Sequence, residues 1–288
     1  MLHVLEHVLE HTVEDVISLL PFLFITYLAM ELMEHYAGTR FNKMIKNSGK
    51  WGPFLGAVLG VMPQCGFSAA AASFFSARII GVGTMIAVFL STSDEMLPIL
   101  LSESVPITSI VKILATKVVI ACASGYLASF VYQQFLQKKD GDMDIHLICE
   151  EEQCSCEDGI IKSAVKHTVK IFIYIFVIAF ALNAVIEGVG EDSLAQVFSN
   201  APVAGQMVAS LVGLIPNCVS SVIITQLYLK GVITAGMMMS GLLVNAGIGS
   251  IVLFRLNRNV KQNVGILTAV YCFGVVWGIL LDVLGIVF

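Results

Sequence analysis

Apolar runs alternate with short polar breaks along the whole chain, and they fall into two sets of four. The first set is Val13 to His35, Pro53 to Ala77, Val82 to Leu101 and Ile107 to Leu136. The second is Ile161 to Ile186, Val203 to Leu229, Val232 to Phe254 and Val264 to Phe288. Crossing a bilayer takes about 20 apolar residues in a helix, and each run is of that order or longer. None alternates with the period of two that a membrane barrel requires, so all are predicted helical. The polar stretch Gln137 to Gly159 separates the sets. It divides the chain into a first membrane repeat (1–136), a Cys-bearing acidic linker (137–159) and a second membrane repeat (160–288).

The two sets repeat each other in detail. Gly60-Val61-Met62-Pro63-Gln64-Cys65-Gly66-Phe67-Ser68 returns as Gly213-Leu214-Ile215-Pro216-Asn217-Cys218-Val219-Ser220-Ser221, 153 positions later. A basic residue follows each copy (Arg78, Lys230), and then a glycine (Gly83, Gly236) opens the next apolar run. Proline, an amide side chain and a thiol in matched apolar segments are what a transporter built from internal repeats places at its substrate site.

Composition narrows the class without changing that picture. Hydrophobic residues make up 57% and charged residues 13%, so the chain reads as a polytopic membrane protein. The formal net charge of -5 is carried largely by the ends and the linker, and no basic stripe points to nucleic acid. Met1 to Asp15 is rich in Glu and His where a cleavable signal peptide needs a basic region. Cys65, Cys122, Cys218 and Cys272 sit in apolar runs and Cys149, Cys154 and Cys156 share the linker, an arrangement that argues against structural disulfides if the linker is cytosolic.

Positive charge decides the topology, because cytoplasmic loops are enriched in Lys and Arg. If the two proline-amide-cysteine runs crossed fully, the two sides would carry equal positive charge. If each is instead a re-entrant hairpin of two half-helices, Arg78, Lys138, Lys139, Lys162, Lys166 and Lys170 join Arg40, Lys43, Lys46, Lys50, Arg255, Arg258 and Lys261 inside, and Lys230 stays outside. The predicted fold is therefore all-α: two inverted-topology repeats, each of three crossings plus one re-entrant hairpin, ten helical segments in all. Both termini lie outside and the linker is cytoplasmic. An arm such as Pro53 to Met62 or Val219 to Leu229 is about 15 Å long, half of the roughly 30 Å hydrocarbon core. The tips then meet near the midplane, where non-helical backbone must be buried in protein or line a polar cavity.

Those tips carry the first candidate site. An arm that starts after a tip aims free N–H groups at the cavity, and an arm that ends there aims free carbonyls. Cys65 and Cys218 at helix N-termini are soft ligands for arsenite or a soft divalent metal. Gln64, Asn217, Ser68 and Ser221 add neutral oxygens and donors. Against this stands the plain reading of cysteine as a small packing residue and proline as a kink; the repetition of the whole motif favours a substrate site.

The second candidate is Ser91-Thr92-Ser93-Asp94-Glu95. An acidic residue inside a crossing costs on the order of 2.5–3.5 kcal/mol, so an adjacent pair needs a reason. Thr92, Ser93, Asp94 and Glu95 would coordinate a hard cation or relay a proton, or the acids would pair with Lys117 on the neighbouring crossing. The equivalent stretch Val244-Asn245-Ala246-Gly247-Ile248-Gly249 keeps only Asn245 as a polar side chain, and its glycines predict a broken helix.

Other ionisable groups make weaker cases. Glu31, Glu34, His35, Glu187 and Asp282 fall near the ends of crossings, where a solvated interface explains them. His3, His7 and His11 share one face of a terminal helix beside Glu6, Glu10 and Glu14, a pattern read as an amphipathic interfacial helix. His146, Cys149, Cys154 and Cys156 in the linker would serve as accessory metal capture, although their spacing matches no zinc finger and Glu150-Glu151-Glu152 marks a solvated segment.

The stretches Gly213 to Cys218, Ala246-Gly247-Ile248-Gly249 and Leu253-Phe254-Arg255-Leu256-Asn257-Arg258-Asn259, with Leu20-Pro21-Phe22-Leu23-Phe24, Glu31, Glu34, His35 and His167-Thr168, resemble the bacterial ten-helix heavy-metal exporters. Members of that family carry arsenic-efflux or manganese-transport labels. The resemblance implies a metal or metalloid exporter of the bacterial cytoplasmic membrane and covers almost the whole chain. The single His146 near the linker cysteines and the His-rich N-terminus depart from its pattern.

The resulting expectation is a secondary-active exporter of a heavy-metal ion or metalloid, with Cys65, Cys218, Asp94 and Glu95 as metal ligands and Asp94, Glu95 and Lys117 as the proton-coupling set. No phosphate-binding loop of the ATPase type occurs, and no cofactor is expected beyond the transported species. Paired thiols favour a soft substrate such as arsenite, and the acid pair suits Mn(II). An organic or inorganic anion permease is the other transport alternative. A membrane thiol enzyme would need a histidine at membrane depth, whereas His35 and His167 lie near the cytoplasmic face. A metal-sensing receptor would need an output segment after the helices. The expected partners are the lipid bilayer and the transported ion, with homo-oligomerisation left open.

Overall fold

The computed structural model describes residues 51–62, 65–93, 96–135, 160–189 and 204–288, with isolated positions between 13 and 28; of Cys65, Phe135, Ile160, Ser163, His167, 178–179, 181–189, Ala204 and Cys218 the backbone alone is described. Every element among these residues is a helix. They are α1 (Gly52–Gly60), α2 (Cys65–Ser76), α3 (Val82–Ser91), α4 (Met96–Ser102), α5 (Ile107–Phe135), α6 (Ile160–Val189), α7 (Ala204–Gly213), α8 (Cys218–Leu229), α9 (Ala235–Val244), α10 (Ile248–Leu256) and α11 (Val260–Val283). The isolated positions Val13, Ile17, Leu20, Pro21, Phe24, Ile25, Tyr27 and Leu28 are helical too.

Four stretches among the described residues are long and apolar enough to cross a membrane: Val82–Ser102, Ile107–Gln134, Ala235–Leu256 and Val260–Val283. The first and third are the interrupted pairs α3/α4 and α9/α10. They form the centre of the bundle, since 94% of the α9/α10 window is buried against 28% of that in α11. A helix that is apolar all round belongs inside, and all ten residues of α9 are buried. Helices α5 and α11 instead turn Val111, Val119, Phe130, Val264 and Val276 outward, as lipid-facing helices do.

Packing follows the same plan in both halves. Helices α1, α3 and α5 pack on one another, and so do α7, α9 and α11. The second arm of each proline-amide-cysteine pair then reaches across: α2 lies on α10, and α8 lies on α4. A hydrogen bond of 2.9 Å from Trp277 Nε1 on α11 to Ser124 Oγ on α5 ties the halves directly.

Local chemistry explains the breaks. After Ser91, the hydroxyls of Ser91 and Thr92 both donate to the Val88 carbonyl, at 3.1 and 2.8 Å, and Ser93 Oγ donates to Ser91 O at 3.1 Å. Hydroxyls that satisfy the backbone this way compete with helix continuation. The expected crossing from Val82 to Leu101 is present as an apolar stretch, Val82–Ser102, made of the two helices α3 and α4. The break after α9 falls where the glycines place it: Gly247 sits at φ 52° and ψ -141°, a conformation essentially confined to glycine, and its N–H donates to Asn245 Oδ1 at 3.0 Å. Helix α11 starts at Val260 rather than Val264, because Asn259 Oδ1 caps it by accepting from Gln262 N at 3.2 Å.

Helices α2 and α8 end in the same motif. Ile79 N donates to Phe74 O at 2.8 Å and Arg78 N to Phe75 O at 2.9 Å; Val232 N donates to Leu227 O and Gly231 N to Tyr228 O, both at 2.9 Å. This Schellman closure wants a left-handed residue at its turn. Gly231 supplies it at φ 71°, and Arg78 is forced into it at φ 58°. Replacing Arg78 by Gly is expected to stabilise the fold by up to about 1 kcal/mol, and Gly231→Ala to cost a similar amount. Thermal unfolding in detergent checks both signs.

Candidate functional site

The helix ends that border four chain interruptions, those of α1, α3, α7 and α9, lie at the boundary between the halves. An ideal Cβ built on Gly60, the last residue of α1, would lie 2.1 Å from Ser91 Oγ at the end of α3. One built on Gly249, in the first turn of α10, would lie 2.6 Å from Ser68 Cβ and 2.7 Å from Ser68 O, in the first turn of α2. The ends of α1 and α3 therefore abut, and so do the first turns of α2 and α10.

Lys117 joins these breaks chemically. It rises from the middle of α5 with 0% exposure, and its Nζ donates to the carbonyl of Thr92 and, at 3.0 Å, to that of Leu242. In continuous helices those carbonyls would accept from residues 96 and 246, four positions on. The breaks remove both partners, and one ammonium replaces them. Its charge also faces the carbonyl-rich ends of α3 and α9, where a cation is favoured. One side chain of the first half thus satisfies a broken helix in each half. The position 153 residues later is Val270, fully buried and apolar, so the second half has no lysine at the equivalent place.

The polar residues expected at the site are buried around this junction: Ser68, Thr92, Ser93, Asn217, Ser221 and Asn245 are each at most 5% exposed. Several serve the backbone. Asn217 caps α8, its Oδ1 accepting from Val219 N at 3.3 Å, and Asn245 closes the turn at Gly247. Cys65 and Cys218 open α2 and α8, as expected of residues at helix N-termini. Gln64, Asp94, Glu95, Glu31, Glu34, His35, His146, Cys149, Cys154 and Cys156, and the N-terminal histidines, lie outside the described residues. Among the described residues no three His, Cys, Asp or Glu side chains come together to hold a metal.

Electrostatics limits what such a junction can hold. The starts of α2, α4, α8 and α10 direct partial positive charge toward the interruptions, the ends of α1, α3, α7 and α9 direct partial negative charge there, and the uncancelled charges are those of Lys117 and of any ion beside it. A metal cation bound there needs anionic ligands to offset them. The only acidic or thiol side chains that the sequence assigns to the interruptions or to the helix starts beside them are Asp94, Glu95, Cys65 and Cys218.

Sequence reasoning missed the Leu242 carbonyl and the closeness of Ser68 to Gly249. Neither carries a signal in the residue pattern, because both are contacts between halves. It also set Asp282 aside as a solvated residue, whereas the carboxylate is half-buried and accepts from Gly236 N, Thr234 Oγ1 and Gln206 Nε2.

A protein-family model described as "Putative, 10TM heavy-metal exporter" matches residues 4–187, nearly two thirds of the chain. No curated protein and no solved structure matches.

Proposed function

From the chain's membership of the family of ten-transmembrane heavy-metal exporters described as putative, a multi-pass membrane class, we propose that it is a secondary-active exporter of a thiophilic metal ion or metalloid, with its substrate site among the four interruptions. The observation that carries this reading is the exchange of arms between halves, α2 onto α10 and α8 onto α4. The arms that follow the two turns, α2 and α8, each lie on the broken helix of the other half. Substrate sites of inverted-repeat transporters lie at such interfaces, on discontinuous helices.

The lengths support re-entrant arms. Helices α1, α2, α7 and α8 have 9 to 12 residues, about 14 to 18 Å at 1.5 Å per residue, too short to span. Trp277 and Ser124 stand 153 positions apart and touch. Repeat-equivalent positions in contact are what a pseudo-two-fold axis beside α5 and α11 produces, and in this reading that axis lies in the membrane plane. In this reading Cys65 and Cys218 bind the substrate, Asn217, Ser221, Ser68, Thr92, Ser93 and Asn245 shape its cavity with Gln64, and Asp94 and Glu95 exchange protons beside Lys117. Residues 137–159 then face the cytoplasm, and His146, Cys149, Cys154 and Cys156 gather the ion before transport.

The test is accumulation of arsenite, Cd(II), Zn(II) and Mn(II) in a metal-sensitive bacterial host. It compares wild type, Cys65→Ser with Cys218→Ser, and Asp94→Asn with Glu95→Gln, at matched membrane expression. Wild type is expected to lower arsenite or Cd(II) accumulation several-fold, and the double thiol variant to lose that effect. Loss of Mn(II) export in the carboxylate variant alone moves the substrate to a hard cation. If wild type lowers none of the four, metal export is wrong and an anion permease takes its place.

A further inference from the structure

We propose that the junction of α7, α9 and α11 holds a small, hard monovalent cation, bound by the oxygens of Gln206, Asp282 and Thr234. The site lies at the start of α9, about ten residues before the break and so about 15 Å from it along the helix, and it is separate from the junction at Lys117. Asp282, in the last turn of α11, accepts at Oδ1 from Gly236 N (2.8 Å) and at Oδ2 from Thr234 Oγ1 (2.7 Å) and Gln206 Nε2 (2.6 Å). Thr234 Oγ1 in turn accepts from Met237 N at 3.1 Å.

The amide of Gln206 points to a ligand. Gln206 is 4% exposed, and with Nε2 fixed on Asp282, its Oε1 is buried beside that carboxylate with no hydrogen-bond partner among the described residues. A buried acceptor left unsatisfied is costly. Reversing the amide gives no relief, because it would press one oxygen against another. A cation is satisfied by the Gln206 carbonyl and the carboxylate together.

Charge and donor type select the cation. The donors are all oxygen, which suits hard ions. One carboxylate balances one positive charge, and the start of α9 adds partial positive charge that disfavours a second. The fold does not require these side chains. The first half builds the equivalent junction with Pro53, Gly81, Gly83 and Ser129, 153 positions earlier, and the start of α3 has no side-chain cap. The carboxylate and amide are therefore present in one half alone, which fits a coupling ion with one site. That coupling role rests on the exporter reading; the binding does not.

The experiment is thermal unfolding of the full chain in lipid nanodiscs without heavy metal, as Na(I), Li(I) or K(I) replaces N-methylglucamine at constant ionic strength. The unfolding midpoint is expected to rise saturably with at least one alkali cation. Asp282→Asn and Gln206→Leu should each raise the half-saturating concentration about tenfold or more, as loss of one ligand worth about 1.4 kcal/mol does. Gln206→Leu removes the orphaned oxygen and keeps the volume, so it tests the site in a chain that still folds. An unchanged midpoint in all three alkali cations overturns the proposal. So does a Gln206→Leu variant with the wild-type half-saturation, or a rise with Ca(II) or Mg(II) and none with alkali cations. Because no heavy metal is present, a failure of metal export leaves this result standing, and a failure here leaves export untouched.

Discussion

Lys117→Met is expected to reduce metal export to background and to lower stability by about 2–6 kcal/mol, the cost of leaving two buried carbonyls without a donor at about 1–3 kcal/mol each. Methionine matches the apolar stem of lysine without its ammonium and propagates a helix nearly as well, so α5 itself survives. What is lost is the group joining Thr92 in the first half to Leu242 in the second. Without it the carbonyl ends of α3 and α9 repel each other across a dry interior, and the two breaks no longer hold one geometry. Transport and stability are read separately: accumulation of the exported ion in cells, and the unfolding midpoint of purified protein. A variant with wild-type export and a lowered midpoint would reduce Lys117 to a structural staple. One with both values unchanged would refute its bridging role. If Lys117→Met accumulates poorly in membranes, Lys117→Gln keeps two donors without the charge and isolates the electrostatic part.

The crossings were legible because lipid leaves the chain few choices. Helices α5 and α11 follow from uninterrupted apolar runs, and α1, α2, α7 and α8 from proline and amide residues at matched positions. The break at Gly247 was also legible, since glycine is the residue that tolerates its φ of 52°. The break after Ser91 was not. Hydroxyls inside an apolar run usually bond back within a continuing helix, and nothing in Ser91-Thr92-Ser93 announces that three of them will end one. Acidic residues drew attention to the same stretch for a different reason.

The tertiary relations were the least legible part. The sequence repeat predicts that the halves resemble each other, which fits the matched packing of α1, α3 and α5 with α7, α9 and α11. It does not predict which arm of one half touches which helix of the other. Lys117 could be placed beside Asp94 and Glu95 by depth alone, but its bond to Leu242 spans 125 positions and ends on a backbone carbonyl, which has no residue signature. Asp282 was misjudged because depth near the end of a crossing was equated with hydration. Its three donors come from α7, the turn before α9 and α9 itself, and only packing brings them together.

Gly249→Ala is expected to abolish export while leaving a folded protein, at a cost of about 1–3 kcal/mol, the usual range for overpacking. The added methyl would sit 2.6 Å from Ser68 Cβ and 2.7 Å from both Ser68 C and Ser68 O. Backbone atoms cannot step aside as a flexible side chain can, so α10 must withdraw from α2 by about an ångström to restore contact near 3.5–4.0 Å. That displacement falls between α2 and the broken helix of the other half, where the substrate site is proposed. Ser68→Gly in the same chain removes the Cβ clash but not the two backbone ones, so it should recover stability in part. The coupling between the two substitutions measures the shared contact. Gly265→Ala serves as the control, because a Cβ there meets nothing within 4 Å and alanine favours the helix by up to about 1 kcal/mol. Should Gly249→Ala export as well as Gly265→Ala, the contact between α2 and α10 is not part of the transport path, and the site must be sought along α4 and α8 instead.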